Sequence, residues 1–397
     1  MGGTRVLVAG ASIAGPAAAH WLTRRGAEVT VVERAPALRP GGQAVDARGV
    51  ARDVIVRMGL DVPVRAARTP TAGAHTVDVD GNVLETFRAD DDGGDGFIAD
   101  IEILRGDLSR VLHDDTQDRV EYVFGDRIAE LTQDADGVDV AFAGGDRRRF
   151  DLVIGADGLH SSLRAMAFGP HDRFVRHLGH VLAFYSVPNE FELDDWLIDC
   201  QEAATGRSAG LRPIRDATRA MAMFSFPSPD VGFDHRDVAA QKRLLRERMD
   251  GFGWWSPRIL AHLDDTPDFY LDQVAQVVMD RWSTGRVGLI GDAAFSSSPM
   301  SGQGTGIALV GAYVLAGELA AAGWDPEAGL AGYEARMRAF VEDNQQIGRW
   351  NAESRIPGAT TDPSEWDMAV IERAINGIEL PDYAGAPEPG PSGWARS

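Results

Sequence analysis

The feature that most limits the possible folds is a glycine-containing turn near the start of the chain. The apolar run 5–9 leads into Gly10-Ala11-Ser12-Ile13-Ala14-Gly15, which opens a second apolar segment that Gly26 is placed to end. This pattern predicts a buried strand, a tight turn and a helix, and the run 29–32 predicts a second strand. Gly10 permits the tight turn, and Gly15 permits the helix to pack closely on the strand. The chain is therefore expected to begin with the βαβ unit of an α/β fold.

The same turn carries most of a dinucleotide-binding fingerprint. Ser12 stands where the fingerprint has its second glycine. The serine side chain leaves less room for a pyrophosphate to approach the backbone, but its hydroxyl group adds a hydrogen-bond donor. Glu33 ends the next predicted strand, 23 residues after Gly10, where its carboxylate can accept both hydroxyls of an adenosine ribose. The carboxylate would repel the extra phosphate of NADP, so FAD or NAD is the expected ligand of this unit. A plain βαβ unit with a glutamate on its surface is the alternative.

A second strand, turn and helix lies near residue 290. The predicted strand 286–290 is followed by Gly291-Asp292, and a turn containing Gly302-Gln303-Gly304 precedes an apolar helix at 307–319. The Asp292 carboxylate and the helix N-terminus would meet at one point. A carboxylate suits a polyhydroxyl chain and a helix N-terminus suits a negative charge, and reduced flavin has both. An aspartate that only caps the helix is the alternative.

Two further groups fit the same ligand. Gly155-Ala156-Asp157-Gly158 follows a buried strand and opens a helix with Ser161 and Arg164, so Asp157 is a second strand-end carboxylate. Arg105 starts another predicted helix, from which it could reach a pyrophosphate or a ribityl chain, and a surface salt bridge is the alternative. Two strand-end aspartates more than a hundred residues apart favour a flavin site more strongly than either does alone.

Charge and cysteine content disfavour several classes of partner. The 397-residue chain has 39 basic and 60 acidic residues, and its net charge of −21 disfavours nucleic acid and anionic membranes. One cysteine, Cys200, permits no internal disulfide and no cysteine-based metal cluster, and it fits a reducing cytoplasm. We expect no metal ion. The run 6–19 could pass for a signal peptide, but Gly10 and Gly15 favour the βαβ interpretation, and no other apolar run is long enough to span a membrane.

The pattern of apolar runs predicts a domain that is interrupted by an insertion. We expect a Rossmann-like FAD-binding domain, an inserted and mainly antiparallel β-sheet substrate domain, and C-terminal helices. The expected segments are 1–172 and 281–350 for the FAD-binding domain, 173–280 for the substrate domain, and 351–397 for a C-terminal helix and a flexible tail that begins near residue 381. Residues 36–46 are predicted as a loop and residues 77–87 as a small hairpin.

These motifs have the order and spacing found in class A flavin monooxygenases, the enzymes built like para-hydroxybenzoate hydroxylase. The chain resembles them over residues 4–350. The segment from Gly41 to Gly49 looks closest to actinobacterial antibiotic-tailoring hydroxylases and tetracycline-inactivating monooxygenases. The chain departs from many members at Phe295, where they have a histidine after the Gly-Asp-Ala-Ala run.

The resemblance implies a role in FAD binding for residues along most of the chain. Backbone amides of the first turn would meet the pyrophosphate, while Glu33 would bind the adenosine ribose. Asp292 would bind the ribityl chain, Thr305 would face the flavin pyrimidine ring, and Asp157 would serve both FAD and the nicotinamide donor. The implied set is Ser12, Ala14, Gly15, Glu33, Arg34, Arg48, Arg105, Ile128, Asp157, Asp292, Gly304 and Thr305.

The resemblance also implies a reaction. NAD(P)H would reduce the FAD, O₂ would give a flavin C4a-hydroperoxide, and one oxygen atom would pass to an aromatic or polyketide-type substrate, in antibiotic tailoring or inactivation. A non-oxidative cyclase on the same fold, with FAD as a structural cofactor, is the alternative. An NAD-dependent dehydrogenase would leave Asp157 and Asp292 without a role.

The substrate is expected between the flavin and the antiparallel sheet. Strand alternation puts Met221 and Met223 on one face and Phe224 and Phe226 on the other, and only one of these faces can line a pocket. The candidate substrate residues are Phe184, Met223, Phe224, Phe226 and Pro299. The candidate bases for a phenolic substrate are His177, His180 and His235.

Overall fold

The computed structural model describes residues 3–89, 98–228, 232, 234, 237–358 and 363–383. Its strands are β1 (Arg5–Ala9), β2 (Glu28–Glu33), β3 (Ala44–Ala47), β4 (Gly73–Val77), β5 (Val83–Arg88), β6 (Ile101–Leu104), β7 (Glu121–Phe124), β8 (Ile128–Gln133), β9 (Val138–Phe142), β10 (Arg147–Phe150), β11 (Leu152–Gly155), β12 (Val175–Pro188), β13 (Trp196–Glu202), β14 (Arg207–Pro213), β15 (Arg219–Pro227), β16 (Tyr270–Val277), β17 (Ser283–Thr284) and β18 (Val287–Leu289). Its α-helices are α1 (Ala14–Arg24), α2 (Val50–Met58), α3 (Asp61–Ala66), α4 (Arg105–Thr116), α5 (Ser162–Ala167), α6 (Val238–Arg248), α7 (Ser256–Ala261), α8 (Asp292–Phe295), α9 (Gly304–Ala321), α10 (Pro326–Ser354) and α11 (Met368–Asn376).

The predicted βαβ unit lies in the middle of a six-stranded sheet with the strand order β17-β18-β11-β1-β2-β7. Strands β18, β11, β1, β2 and β7 are parallel to their neighbours, and β17 is antiparallel to β18. Most of their valine, leucine and isoleucine side chains are buried, as expected for a parallel sheet covered on both faces. Because parallel strands end at the same edge, the turns that follow β1, β2, β11 and β18 lie side by side.

Helix α9 runs through the core beside this sheet and packs against α1, α2 and α10. Its residues from Thr305 to Gly317 are all buried, which explains why the helix is apolar on every side. Within the described part of the chain it is the one helix long and apolar enough to cross a membrane, but 78% of that apolar window is buried inside the protein. Its composition is therefore that of a core helix.

The second large sheet has seven strands in the order β16-β12-β15-β14-β13-β4-β5. Its pairs are antiparallel except β13 with β4, which are parallel. The mainly antiparallel sheet was predicted, but the hairpin β4–β5 was assigned by sequence to the segment 1–172. It extends the seven-stranded sheet instead, because Thr76 pairs with Asp199, far away in the chain. A local pattern does not reveal such a pairing.

The two faces of the seven-stranded sheet have different partners. One face packs with Leu245 of α6 and Ile259 of α7 in a shared apolar cluster. The other face meets Leu104, at the end of a two-stranded ribbon formed by β3 and β6. The ribbon corrects the loop predicted at 36–46, since residues from Ala44 pair with the distant strand β6. The ribbon β3–β6 therefore contacts the second face of the sheet at Leu104.

The C-terminal segment is packed on the core as far as Tyr383. The hydroxyl of Tyr313 in α9 donates to the carbonyl oxygen of Pro381 across 2.5 Å, and the hydroxyl of Tyr383 donates to Oε1 of Glu318 across 2.6 Å. The tail predicted to be flexible from about residue 381 is thus held by α9 in its first residues. Residues 384–397 lie outside the described part of the chain.

Candidate functional site

The turn after β1 forms a site for a negative group. Gly10 has φ +111°, and a Cβ at this position would overlap the carbonyl of Ala156, so only glycine fits between the turns after β1 and β11. A Cβ at Gly15 would likewise overlap the carbonyl of Gly10. Helix α1 begins at Ala14, and no side chain of the described residues caps its N-terminus. Its first N–H groups are therefore available to an anion.

Glu33 stands at the end of β2 beside this turn. Its Oε2 accepts a hydrogen bond from the backbone N–H of Ala11 at 2.9 Å, and its Oε1 accepts one from Ala35 at 2.9 Å. Two backbone donors thus fix the carboxylate while its remaining lone pairs can accept hydroxyl groups. A pocket opens here, lined by Ala11, Ser12, Glu33, Ala35, Ala37, Leu38, Arg39, Arg105 and Ser109. Arg39 was missed by sequence reasoning because it lies in the irregular segment after β2.

Arg105 lines this pocket and is also close enough to Asp292 for the two charges to interact. Its Nη1 donates a hydrogen bond to the hydroxyl of Ser12 at 2.8 Å. Burial lowers the pKa of the Arg105 guanidinium, and Arg39 adds to this effect, while Tyr270, Glu33 and Asp292 counteract it. Arg105 therefore lies within electrostatic range of both candidate carboxylates, and a cofactor that spans them would pass along it.

The turn after β18 places Asp292 at the same edge. Gly291 has φ +62°, and a Cβ there would stand 2.9 Å from the Cβ of Ala14, so this glycine lets the turn approach α1. Oδ1 of Asp292 lies 3.9 Å from the position a Cβ would take at Gly304, the first residue of α9. Thr305 follows in the first turn of α9, and within the described chain no side chain caps this helix. A carboxylate and an open helix N-terminus are thus adjacent.

The electrostatic environment of Asp292 is that of a group within a cleft. Its side chain is exposed to solvent, yet protein surrounds it closely enough that desolvation raises the pKa of the carboxyl. The negative charge of Asp272 adds to the rise, whereas Ser296, Arg105 and Arg164 oppose it. Hydroxyl donors of a ligand would favour the ionised form of the Asp292 carboxyl and so oppose this rise in its pKa.

Asp157 has a different environment from Asp292. Its Oδ2 accepts hydrogen bonds from the backbone N–H groups of Ser162 at 2.7 Å and Leu163 at 3.1 Å, and its Oδ1 accepts one from the Ser161 hydroxyl. The carboxylate therefore caps α5. Arg164 on this helix is fully buried and donates to the carbonyl of Ala293 at 2.9 Å, which ties the turns after β11 and β18 together. A direct contact of Asp157 with FAD or NAD(P)H stays a prediction.

Three other predicted cofactor residues do not line the pocket beside Glu33. Arg34 is exposed directly after Glu33, and Nη2 of Arg48 pairs with Oδ2 of Asp46 at 2.8 Å. Ile128 is buried at the start of β8, in a three-stranded sheet with β9 and β10. Their contacts with the cofactor stay predictions.

The candidate substrate residues separate into two groups. Phe184 pairs with Met223 on neighbouring strands, and both belong to the cluster that includes Leu104 of the ribbon. Phe224 and Phe226 are on the opposite face, each about 1% exposed, in the cluster covered by α6 and α7. Their proposed place in the pocket wall is corrected, since strand alternation turns them into the core. Pro299 is exposed and starts a 3₁₀ helix between α8 and α9.

Phe295 and two of the candidate histidines, His177 and His180, make contacts within the protein. The ring of Phe295 is 2% exposed, and its centroid is 4.7 Å from that of Trp282. Nε2 of His177 is 2.7 Å from the carbonyl oxygen of Ser228, and burial lowers the pKa of His180 to about 4. His235 lies outside the described residues. Among the described residues, no group of His, Cys, Asp or Glu side chains could hold a metal ion.

The family of the chain follows from comparison with known proteins. Residues 3–347 match the family described as FAD binding domain. The chain belongs to this family. An uncharacterized protein of Mycobacterium tuberculosis (strain CDC 1551 / Oshkosh) is 47% identical over 381 residues, which cover 95% of this chain and 99% of the relative.

Two further matches connect this FAD binding domain protein with flavin-dependent monooxygenases. A flavin-dependent monooxygenase from an unknown prokaryotic organism is 39% identical over 390 residues, covering 96% of this chain and 99% of the relative. The crystal structure of the tetracycline destructase Tet(55) is 38% identical, with a TM-score of 0.84 over 96% of this chain and 99% of that chain. The predicted fold and the resemblance to class A flavin monooxygenases are confirmed. The protein is a flavoprotein of the oxidoreductase class.

Proposed function

We propose that the protein is an FAD-dependent monooxygenase that uses NAD(P)H and O₂ to hydroxylate an aromatic or polyketide-type small molecule. The observation that carries this proposal is the convergence of two open helix N-termini and two carboxylates around Arg105. Bound FAD would supply the redox chemistry and the reaction with O₂. The chain itself binds the cofactor, orients it and shields it from water.

Each part of the cofactor has a partner of matching chemistry at this edge. The start of α1 can bind the pyrophosphate, and Glu33 can accept the ribose hydroxyls of the adenosine. Asp292 can accept hydroxyls of the ribityl chain. The N-terminus of α9 at Thr305 favours negative charge on the flavin ring by about 0.3–1 kcal/mol, and by more if it is buried. We assign FAD binding to the segments 1–172 and 281–350 without the hairpin β4–β5.

The substrate site lies, in this proposal, between the bound flavin and the face of the seven-stranded sheet that carries Phe184 and Met223. These side chains are apolar and flat or flexible, which suits a planar ring system. The similarity to a tetracycline destructase supports a polycyclic, oxygen-rich substrate. Antibiotic tailoring and inactivation both require such chemistry. The buried Cys200 and the acidic surface fit the cytoplasm.

The proposal is tested with FAD-loaded protein, NADH or NADPH, and two probe classes, tetracycline and hydroxylated anthraquinones. We expect a probe to accelerate NAD(P)H oxidation and to gain one oxygen atom, as seen by mass spectrometry. If the protein retains FAD but NAD(P)H does not reduce this FAD in the presence of any probe, the proposal is contradicted and the cyclase alternative is favoured. Protein that binds no FAD would contradict the site assignment itself.

A further inference from the structure

A row of side chains leads from the cofactor cleft across the second face of the seven-stranded sheet. Tyr270 begins the row at the start of β16, where the charges of Arg105 and Asp292 act on its hydroxyl. Strand pairing places the next four residues beside one another on β12, β15, β14 and β13, namely Phe184, Met223, Gly210 and Asp199. Residues that pair directly point to the same face of a sheet. The row therefore extends from the candidate cofactor site to Asp199.

The row changes from apolar to polar along its length. Phe184 and Met223 belong to the apolar cluster of this face, whereas Asp199, at the end of the row, carries a carboxylate. Neighbouring strands are about 4.8 Å apart, so Asp199 lies about 14 Å from Phe184 across the sheet. A molecule with several fused rings has this length. A substrate whose reacting ring lies near Phe184 therefore places its far end at Asp199.

Gly210 leaves a gap in the row beside Asp199. A Cβ at Gly210 would stand 3.0 Å from Cε of Met223 and 3.4 Å from Oδ1 of Asp199, so both side chains border the gap. Oδ2 of Asp199 accepts a hydrogen bond from Nε2 of Gln201 at 2.7 Å. Oδ1 borders a position without a side chain, where a group of a ligand can donate a hydrogen bond to it.

Two arginines from different segments act on the Asp199 carboxylate. Burial raises the pKa of Asp199, whereas the positive charges of Arg355 and Arg212 oppose this rise. Arg212 lies two residues after Gly210 on β14, so its side chain is on the same face as the row. Arg355 directly follows the end of α10. Positive charge therefore reaches the Asp199 end of the row from both β14 and α10.

Arg212 has donor capacity that the described residues do not use. Its Nη1 pairs with Oε2 of Glu102, but its Nε has no hydrogen-bond partner within the described part of the chain. Its side chain is 16% exposed. Burial alone would lower the pKa of the Arg212 guanidinium, but Glu102, Asp46 and Asp199 raise it overall. A charged guanidinium thus lies beside the Asp199 carboxylate.

The charges at this end of the row balance each other. Each of three carboxylates has a guanidinium near it, in the pairs Glu102–Arg212, Asp46–Arg48 and Asp199–Arg355. A charged group of a ligand would leave one charge in excess among partly buried groups, which is unfavourable. A neutral group that both donates and accepts hydrogen bonds would keep the balance.

We propose that Asp199, Arg212 and the gap at Gly210 form a subsite for a carboxamide at the far end of a fused-ring substrate. The inference rests on the proposed function and names the substrate class that the same site prefers. The amide N–H would donate to Oδ1 of Asp199, and the amide oxygen would accept from the guanidinium of Arg212. Phe184 and Met223 would contact the rings. The subsite thereby fixes which ring of the substrate lies at the flavin.

The test uses FAD-loaded protein and three anthraquinones that differ in one group. Chrysophanol has a methyl group, rhein has a carboxylate and rhein amide has a carboxamide at the same position. Calorimetric titration at neutral pH without NAD(P)H measures their affinities. Wild-type protein should bind rhein amide at least about tenfold more tightly than chrysophanol, as expected for hydrogen bonds to charged groups, and also more tightly than rhein. Equal affinities, no measurable binding of the amide, or tighter binding of either other probe would overturn the subsite.

Asp199→Asn removes one negative charge and keeps the shape of the side chain. Without this charge the positive charges of Arg212 and Arg355 favour an anion, so the variant should bind rhein more tightly than rhein amide. A purely structural role of Asp199 would change the three affinities together and would not reverse their order. An amide preference equal to that of wild type would therefore contradict the role of Asp199.

Two further variants separate the subsite from general effects on the fold. Asp194→Asn is the matched control, because Asp194 is exposed in the loop before β13, and it should leave the order of affinities unchanged. Gly210→Ala puts a methyl group into the gap and should weaken the binding of rhein amide while the FAD content stays the same. Unchanged binding of the amide by Gly210→Ala would contradict the position of the subsite.

FAD content and NAD(P)H-dependent hydroxylation are measured on the same preparations. The predicted order of affinities without hydroxylation of any probe would contradict only the monooxygenase assignment. Hydroxylation of the probes without the predicted order of affinities would contradict only the subsite.

Discussion

Arg105 donates a hydrogen bond from Nη1 to the hydroxyl oxygen of Ser12, and the two atoms are 2.8 Å apart. This contact gives a physical reason for the serine at the second position of the fingerprint. A glycine there would bring the backbone closer to a pyrophosphate, but it would leave the guanidinium without this acceptor. This hydrogen bond joins the turn after β1 to the start of α4, at the edge of the parallel sheet that also carries Glu33 and Asp292.

Replacing Ser12 by glycine restores the usual fingerprint and removes the acceptor of Arg105. We expect FAD binding to weaken by roughly 0.5–1.5 kcal/mol, the net value of one hydrogen bond. Titration of apoprotein with FAD, followed by the quenching of flavin fluorescence, measures the change. Ser12→Ala is the control, since it removes only the hydroxyl and should show a similar loss. Tighter binding by Ser12→Gly would contradict this role of the serine.

Removing the Glu33 carboxylate should weaken FAD binding by roughly 1–3 kcal/mol, because charge-assisted hydrogen bonds to the ribose are lost. The same titration measures the effect. Glu28→Ala is a matched control, since Glu28 is exposed at the opposite end of the same strand. Equal FAD affinity of Glu33→Ala and Glu28→Ala would refute the placement of the adenosine ribose at Glu33.

Asp292→Asn should make the apoprotein more stable while FAD binding becomes weaker. The folded protein raises the pKa of Asp292 above its unfolded value, so ionisation of this group destabilises the fold. The variant should therefore have the higher Tm at pH values above the raised pKa, and the difference should vanish as the pH falls below the ordinary carboxyl range. Thermal unfolding of wild-type and Asp292→Asn apoprotein, measured over a range of pH, shows which of the two is more stable.

The FAD content of the same variants gives the second half of this prediction. Asp292→Asn and Asp292→Ala should both lose FAD during purification, whereas Asp146→Ala, at an exposed turn between β9 and β10, should retain it. Full retention of yellow flavin in Asp292→Ala would show that the carboxylate does not hold the ribityl chain.

A buried ion pair fixes the ribbon β3–β6 on the seven-stranded sheet. Glu102 is 4% exposed, pairs with Arg212 of β14, and accepts the hydroxyl of Thr69 at 2.7 Å. Glu102→Ala removes the ion-pair partner of Arg212, whose buried charge then keeps only the weaker attraction of Asp46 and Asp199, and should reduce the free energy of unfolding by up to about 3–5 kcal/mol. The double variant with Arg212→Met should recover much of this loss. Urea unfolding measures both, and a single variant as stable as wild type would contradict the role of the pair.

The candidate cofactor site at the edge of the parallel sheet could be predicted because the residues that form each of its turns are close together in the sequence. Gly10 and Gly291 adopt backbone angles that favour glycine, and each follows a short apolar run that can only be a buried strand. The position of a carboxylate at the end of such a strand, as in Glu33 or Asp292, then follows from the geometry of parallel sheets. Each of these features depends on residues that are close together in the sequence, so the sequence pattern predicts them.

The substrate side was less predictable because it depends on contacts between distant segments. Alternation along β15 predicted two faces but not which of them α6 would cover, so Phe224 and Phe226 could not be separated from Met223. Phe295 follows Asp292 closely in sequence, yet its ring points into the core against Trp282. Tyr270 carries no local motif, and only the pairing of β16 with β12 brings it to the cleft.

The most direct test of the monooxygenase assignment is turnover of FAD-loaded protein under isotopically labelled O₂. The substrate is the probe that most accelerates NAD(P)H oxidation, and the product is analysed by mass spectrometry. We predict that one labelled oxygen atom appears in the product and that none is taken from labelled water. A product that carries no oxygen from O₂, formed by protein that still holds FAD, would contradict the account.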